Sequence, residues 1–433
     1  MKPFVKRWYH VLEKFNDTVV VKAEGAFIGE LCEIKIAGGK TVFGEVTSFK
    51  DQLVYVTLLG EGQGISNSSL VTFTGETYTV DVSTDLLGSV INAEFEVIGR
   101  LVEELPPHSK NYDQNQKKMT IFSNNVSPFD RAPVNEICNT GIKCIDAFLS
   151  VGKGQRIGIF APAGCGKTTL MISLMRGVAA DIYVIVLIGE RGREVNDFIT
   201  SNIPDELRGK SIIVYSTSDQ SSILRRNAAL IGTTVAEYFR SIGMHVLLLF
   251  DSVTRYARAL REIALDSGEV ANDKFPASVY SNIPKILERA GKTKSGAITA
   301  FYTILLEGVD SDDVLGNEIK SIIDGHFYLS QKLASKNHYP ALDVLPSKSR
   351  LFEELVSSEH RSKIGVLRAA LDKYKELEFI LDIGEYKEGN NAANDRVISN
   401  IGSLNNFLVQ DAKSTYSSGE IEELLNEVYE KFI

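Results

Sequence analysis

The chain has 433 residues, 44% hydrophobic and 24% charged, a balance that fits a soluble globular protein of two or three domains with room for a large core. Its formal net charge of −9 would repel a polyanion, which disfavours a dedicated nucleic-acid binder, and no apolar run reaches the ~18 residues of a membrane span. The four cysteines, Cys32, Cys138, Cys144 and Cys165, have neither zinc spacing nor disulfide-like density, which fits a reducing cytoplasm, and the six histidines are scattered as surface or core residues.

The start, Met1-Lys2-Pro3-Phe4-Val5-Lys6-Arg7-Trp8-Tyr9, is basic and aromatic with no apolar stretch behind it, so it reads as neither signal peptide nor anchor. Up to about residue 80, short strand-like runs at 18–23, 31–36, 41–49, 53–58 and 70–73 are separated by glycines, and a small β-barrel or sandwich accounts for them. This part lacks the basic, aromatic-rich surface that a barrel needs to stack bases. From Glu103 to Asp130, Pro106-Pro107, Lys117-Lys118 and many amides mark a loop-rich connector.

From Gly152 the pattern changes to apolar strands at 156–160, 182–188, 212–215, 246–250 and 298–305, alternating with helices, of which 221–242 is the clearest. A doubly wound α/β core follows, with its ligand at the carboxyl ends of the strands. After about Pro346 the strands give way to helical spacing, first through Phe352, Leu355, Ile364, Leu367, Leu371 and Leu377, then over 421–432.

The first strand of the core runs into Ala161-Pro162-Ala163-Gly164-Cys165-Gly166-Lys167-Thr168, and a helix-like run, 169–175, leaves it. Strand, glycine-rich loop and helix are the context of a phosphate cradle, in which main-chain N–H groups of 163–169 converge on the anion. Lys167 would reach the β/γ-phosphates and the Thr168 hydroxyl would hold Mg²⁺. The first glycine of the usual pattern is here Ala161. The strand at 246–250 delivers Asp251 at its end, either as a second Mg²⁺ anchor or as a cap for the helix that follows. The strand at 182–188 ends in Gly189-Glu190-Arg191-Gly192-Arg193-Glu194. There Glu190 could polarise a water for attack on the γ-phosphate beside a charge-neutralising arginine, or the segment could be a solvated loop with surface ion pairs.

Gly189–Val195, the stretch Leu248-Leu249-Phe250-Asp251-Ser252-Val253-Thr254-Arg255-Tyr256-Ala257-Arg258-Ala259, and Tyr339-Pro340-Ala341-Leu342-Asp343-Val344-Leu345 with 347–350 resemble the catalytic subunits of rotary ATPases. Ala163–Thr168, 254–260 and Leu381-Asp382-Ile383-Gly384-Glu385-Tyr386 are most similar to the type III secretion ATPases and their flagellar relatives. The resemblance runs from about Phe27 to Phe407 and implies an α/β fold: a RecA-like P-loop parallel-sheet core with a small N-terminal β-barrel and a C-terminal helical domain. It divides the chain into an oligomerising barrel at 1–80, an ATPase domain at 81–345 and a stalk- and cargo-facing helical domain at 346–433.

The resemblance also implies an Mg²⁺-dependent ATP hydrolase acting as a homohexamer, with ATP held by Ala163, Gly164, Cys165, Gly166, Lys167, Thr168 and Thr169. Glu190 then orients the attacking water, Arg191 lies by the γ-phosphate and Asp251 is the acidic strand-end residue. Arg350 matches an arginine finger inserted by the neighbouring subunit, or makes a local ion pair. Tyr339 matches an aromatic residue on adenine, or is a half-buried core tyrosine. Asp411-Ala412 stands where related chains often carry Pro-Phe. The implied partners are a central coiled-coil stalk, a peripheral regulator or stator, the export gate and chaperone–effector complexes, at the cytoplasmic face of the inner membrane. A hexameric RNA translocase would want basic channel loops and stacking aromatics instead, and a non-catalytic nucleotide-binding subunit would lack Glu190.

Overall fold

The computed structural model describes residues 6–36, 38–103, 116–123, 126–271, 274–306 and 313–433. The basic start at residues 1–5 and Pro106-Pro107 of the connector lie outside the described residues. The chain divides into two compact units, the first formed by Met1–Ser127, Ile182–Ile242 and Phe250–Arg289, the second by Pro128–Asp181, Gly243–Leu249 and Ala290–Ile433.

In the first unit six strands close into a barrel, in the order Tyr9–Phe15, Thr18–Lys22, Leu53–Leu58, Thr41–Lys50, Glu30–Lys35 and Leu70–Thr77. Val19, Val21, Ile34, Val46, Val54, Val56, Leu58 and Val71 fill it, mostly β-branched residues that pack well on pleated strands. Gly44 permits a close approach inside, since a Cβ there would lie 2.6 Å from Val56 Cγ1 and 3.1 Å from the Thr57 carbonyl oxygen. The five expected strands are all present. The sixth, Tyr9–Phe15, has no apolar alternation, and only Val11 is buried. Its contribution is backbone pairing to Thr18–Lys22 on one side and to Leu70–Thr77 on the other, which closes the barrel and removes its edges.

The same unit carries Ile182–Glu190, Ser211–Thr217 and Ser89–Ile91 as parallel neighbours, with Val97–Arg100 added antiparallel. Ile182–Glu190 is buried at every position, so its sequence reads as a continuous apolar run instead of an alternation. Helix Ser222–Ser241 departs from the amphipathic expectation, because it is buried nearly all round, polar positions included. Its threonines, Arg226 and Glu237 are partnered. Thr233 and Thr234 return their hydroxyls to the Ala229 and Leu230 carbonyls at 2.8 and 2.9 Å, Arg226 donates to Glu45 of the barrel at 2.9 and 2.5 Å, and Glu237 accepts from Arg289 at 3.1 and 2.5 Å. Within the expected connector, Lys117–Thr120 forms a strand against Thr79–Val82, and Arg289 holds the next residue by donating to the Ile121 carbonyl at 2.9 Å.

In the second unit Ala297–Leu305, Arg156–Ala161 and Gly325–Leu329 lie parallel, with Leu342–Ser349 antiparallel at the edge. That last strand continues past Pro346, where the strands were expected to stop, because an edge strand tolerates a residue that cannot donate to the ladder. Helices Ser358–Asp382, Ala392–Leu408 and Ser418–Glu430 follow and bury Ile364, Leu367, Leu404, Phe407 and Leu425. The last helix opens with a capping box between Ser417 and Glu420. Among the described residues no helix is long and apolar enough to cross a membrane.

The Glu45–Arg226 pair is buried on both sides, so removing one partner strands a charge. Glu45→Ala should cost about 3–5 kcal/mol of stability, and Glu45→Leu combined with Arg226→Met should recover most of it, measured by urea unfolding of the full chain. An equal loss in both variants would show that the stranded charge is not the cause.

Candidate functional site

In the second unit, strand Arg156–Ala161 feeds the phosphate loop and helix Lys167–Gly177 leaves it. Ala161 ends the strand, paired with Leu305 in parallel register, and its carbonyl accepts the Leu306 N–H at 3.0 Å. Its backbone stays extended as part of the strand, so a Cβ costs nothing where the usual pattern has glycine. Gly164 and Gly166 take φ of +78° and +82°, the left-handed region that favours glycine. The helix N-cap is Gly166, with no side-chain hydrogen bond to the first turn and no acidic residue within it. Its first N–H groups and its positive dipole end are therefore not satisfied by a side-chain cap, which is what an anion requires. Thr168 is exposed, while Cys165 is buried and its thiol is raised by that burial, which leaves it a packing residue whose backbone serves the loop.

Tyr339 lies against this loop. A Cβ at Gly166 would come within 3.2 Å of its Cε1, and with 36% of its surface exposed the residue is not a core tyrosine. A small pocket joins Tyr339, Gly166 and Thr169 to Asp411 and Ala412, so the 407–416 segment does reach the loop, with Ala412 accepting the Ser173 hydroxyl at 3.1 Å. The residue that brings these parts together, Gln410, carried no signal in the sequence. Buried, it donates its backbone N–H to the Tyr339 carbonyl at 2.8 Å, its amide N–H groups to the Gly141 and Ser414 carbonyls at 2.8 and 2.7 Å, and accepts the Lys143 N–H at 2.9 Å.

The first unit holds the carboxylates. Glu190, the last residue of its strand, is 7% exposed and pairs with the Arg255 guanidinium. Burial first, then the Asp251 carboxylate and the hydrogen-bonding neighbour Glu194, push the Glu190 carboxyl up to about 7 against the opposing effect of Arg255. Asp251 is buried at the end of His245–Asp251, and the cap of the next helix, Val253–Asp266, is Ser252, whose side chain accepts the Arg255 N–H at 3.3 Å. The capping alternative for Asp251 is thus taken by its neighbour. The loop after Glu190 splits between the two readings the sequence left open. Arg191 and Arg193 are exposed and make long ion pairs with Glu194 and Asp197, at 3.9 and 3.7 Å, while Glu190 is withdrawn from solvent. Arg255 lay in a recognised stretch without an assigned role; its partner is remote in sequence, and only the fold joins them.

Arg350, in the second unit, donates through its guanidinium to the Lys320 and Ser321 carbonyls, at 2.8 and 3.5 Å, in the last turn of helix Val314–Ile322. The local partner is a helix terminus, where the sequence allowed an ion pair.

Comparison with known proteins places this geometry. Residues 141–349 match the ATP synthase alpha/beta family nucleotide-binding domain, 18–75 its beta-barrel domain, and 356–427 the T3SS EscN ATPase C-terminal domain. The SPI-1 type 3 secretion system ATPase of Salmonella typhi is 42% identical over 395 residues, 90% of each chain. The assembled ATPase EscN of enteropathogenic E. coli superposes with a TM-score of 0.89 at 35% identity, covering 97% of this chain and all of that one. EscN in complex with its central stalk EscO gives 0.85 at the same identity and coverage. With a phosphate loop, a barrel and a helical end each matched in order, the chain belongs to the type III secretion system ATPase family.

Proposed function

We propose that this ATPase hydrolyses ATP with Mg²⁺ at the interfaces of a homohexamer, and that turnover energises type III protein export by releasing chaperones and unfolding cargo. The observation that carries the catalytic reading is Glu190: a strand-end carboxylate, buried and held near neutrality beside Arg255, is what a residue that orients water needs and a merely nucleotide-holding subunit does not.

In this reading the N–H groups of 163–169 and the Lys167 ammonium bind the phosphates, and the base rests on Tyr339. Thr168 and Asp251 supply hard oxygen donors that fit Mg²⁺, and the repulsion Asp251 imposes on Glu190 is of the kind a dication relieves. When bound, Mg²⁺ would neutralise phosphate charge. Glu190 orients a water and takes its proton as the oxygen bonds to the γ-phosphorus and the bond to ADP breaks. Arg255 keeps Glu190 aimed and Arg191 faces the γ-phosphate. Arg350 of the adjacent subunit stabilises the charge that spreads over the transferred group.

EscN's complex with EscO supports a coiled-coil stalk as partner for the C-terminal helices, and Phe379 and Ile383, 70% and 50% exposed at the end of Ser358–Asp382, offer apolar contacts for a protein. A regulator or stator, the export gate and chaperone–effector complexes complete the proposed partners, with the ring at the cytoplasmic face of the inner membrane.

If the site needs a neighbour, the ATPase rate per chain should collapse on dilution to single chains. Arg350→Ala should lower turnover by about 10³ to 10⁵ while fluorescent-nucleotide binding stays nearly unchanged. Dilute single chains as active as rings would refute the shared site.

The ionised form of Glu190 is the active one, so kcat/KM should fall about tenfold per pH unit below about 7. Arg255 opposes the upward shift, so Arg255→Gln should move this limb to higher pH, read from the ATPase pH profile. A limb that stays in place would assign it to another group.

A further inference from the structure

The small pocket at Tyr339 hangs on a carboxylate that lines no part of it. Asp146 stands in the short helix Lys143–Phe148 of the second unit and folds back onto the turn that precedes the helix. Its Oδ1 accepts the Thr140 N–H and hydroxyl at 2.9 and 2.7 Å, and its Oδ2 accepts the Gly141 N–H at 2.8 Å. Three donors on one ionised group fix both residues of that turn.

The turn in turn carries the pocket. Gly141 takes φ of +67°, and a Cβ on it would lie 3.2 Å from both Gly177 Cα and Thr415 Cβ, so it is wedged between the last residue of helix Lys167–Gly177 and the segment that follows Ala412. The Gly141 carbonyl accepts the Gln410 side-chain amide at 2.8 Å and the Tyr416 N–H at 3.1 Å. Gln410 passes the connection on, donating its backbone N–H to the Tyr339 carbonyl at 2.8 Å, and Ile142, next to Gly141, lines the pocket with Tyr339 and Ala412. Three successive hydrogen bonds therefore join Asp146 to Tyr339. The turn meets the phosphate-loop helix only at its far end, about 15 Å along the axis from Lys167.

We propose that Asp146 is a positioning residue for the nucleoside half of the nucleotide: it touches no ligand, but through Gly141 and Gln410 it sets the place of Tyr339 and of the wall at 410–412, while the phosphate end of the site is held independently. The proposal rests on the reading that puts the base on Tyr339.

ADP and inorganic pyrophosphate share a pair of phosphates and differ by the nucleoside, so each is titrated calorimetrically, with Mg²⁺, into the full chain. Asp146→Asn keeps the size of the side chain but turns an amide donor toward N–H groups that need an acceptor. It should weaken ADP about tenfold, as loss of a hydrogen bond to a charged group allows, and pyrophosphate by no more than about twofold. Thr140→Val removes only the hydroxyl donor, leaves the main-chain donors in place and should weaken ADP alone by about threefold, which keeps the test open if Asp146→Asn does not fold. A merely structural role would weaken both ligands together. Parallel losses of ADP and pyrophosphate in these variants, or no loss of either, would overturn the proposal. Tyr339→Ala checks the reading beneath it: ADP affinity unchanged by that substitution would remove the base from Tyr339, whereas ADP weakened by Tyr339→Ala but not by Asp146→Asn or Thr140→Val would overturn the role of Asp146 alone.

Discussion

A carboxylate that burial tends to neutralise, opposed by one guanidinium, governs the proposed catalytic edge of the first unit. Glu190 ends a strand with no solvent-facing position, so the same burial that makes Ile182–Glu190 a stable core strand also removes water from its last side chain. Desolvation raises the carboxyl, the nearby Asp251 raises it further, and Arg255 limits the rise at a value near neutrality. Three local facts deliver Arg255 to that place. Ser252 rather than Asp251 caps Val253–Asp266, the cap fixes the first turn of that helix, and Arg255 stands in that turn. Asp251 is thereby released from helix capping, and its charge acts on Glu190 instead.

The phosphate loop obeys the complementary constraint: backbone donors must be left over. A helix that begins at Gly166 with no capping side chain and no acid in its first turn keeps those donors for an anion. The cost is a helix start that little in the loop itself secures. Packing around it does so instead, through Tyr339 against Gly166 and through Gln410, whose hydrogen bonds gather the backbones of 141, 143, 339 and 414 into one wall. Alanine at position 161 is harmless for the same reason, since that residue belongs to the strand and not to the turn.

What the sequence made legible follows from where the information sits. Apolar strands buried on both faces, the glycine-rich turn and the alternation of strands and helices are local properties, and the core strands fall where their composition puts them. Tyr9–Phe15 was illegible because its contribution is backbone closure and not side-chain burial. Lys117–Thr120 was illegible because two lysines and a connector composition hide a short strand whose only requirement is a partner, Thr79–Val82. Helix Ser222–Ser241 shows an apolar periodicity in sequence, but Arg226, Arg240, its threonines and its glutamate are buried too, each satisfied by a residue far along the chain or by its own preceding turn. Arg255 and Gln410 share that character: their roles are long-range hydrogen bonds and ion pairs, and neither residue type announces its partner.

The position of Arg350 connects these constraints to assembly. Its guanidinium rests on the Lys320 and Ser321 carbonyls, the negative end of helix Val314–Ile322, where a cation is favoured. Such a hold on an exposed arginine is modest, about 0.3–1 kcal/mol from the dipole and somewhat more with the hydrogen bond to a charged group. A phosphate group carries full negative charge and accepts a guanidinium through two parallel bonds, a stronger and more directional pairing than two carbonyls provide. In the proposed hexamer the arginine would therefore have a reason to leave its own helix only when a neighbour's loop holds a polyanion. The resting contact is weak enough to yield and specific enough to keep the side chain ordered until then, so nucleotide occupancy and subunit closure would select the same conformation.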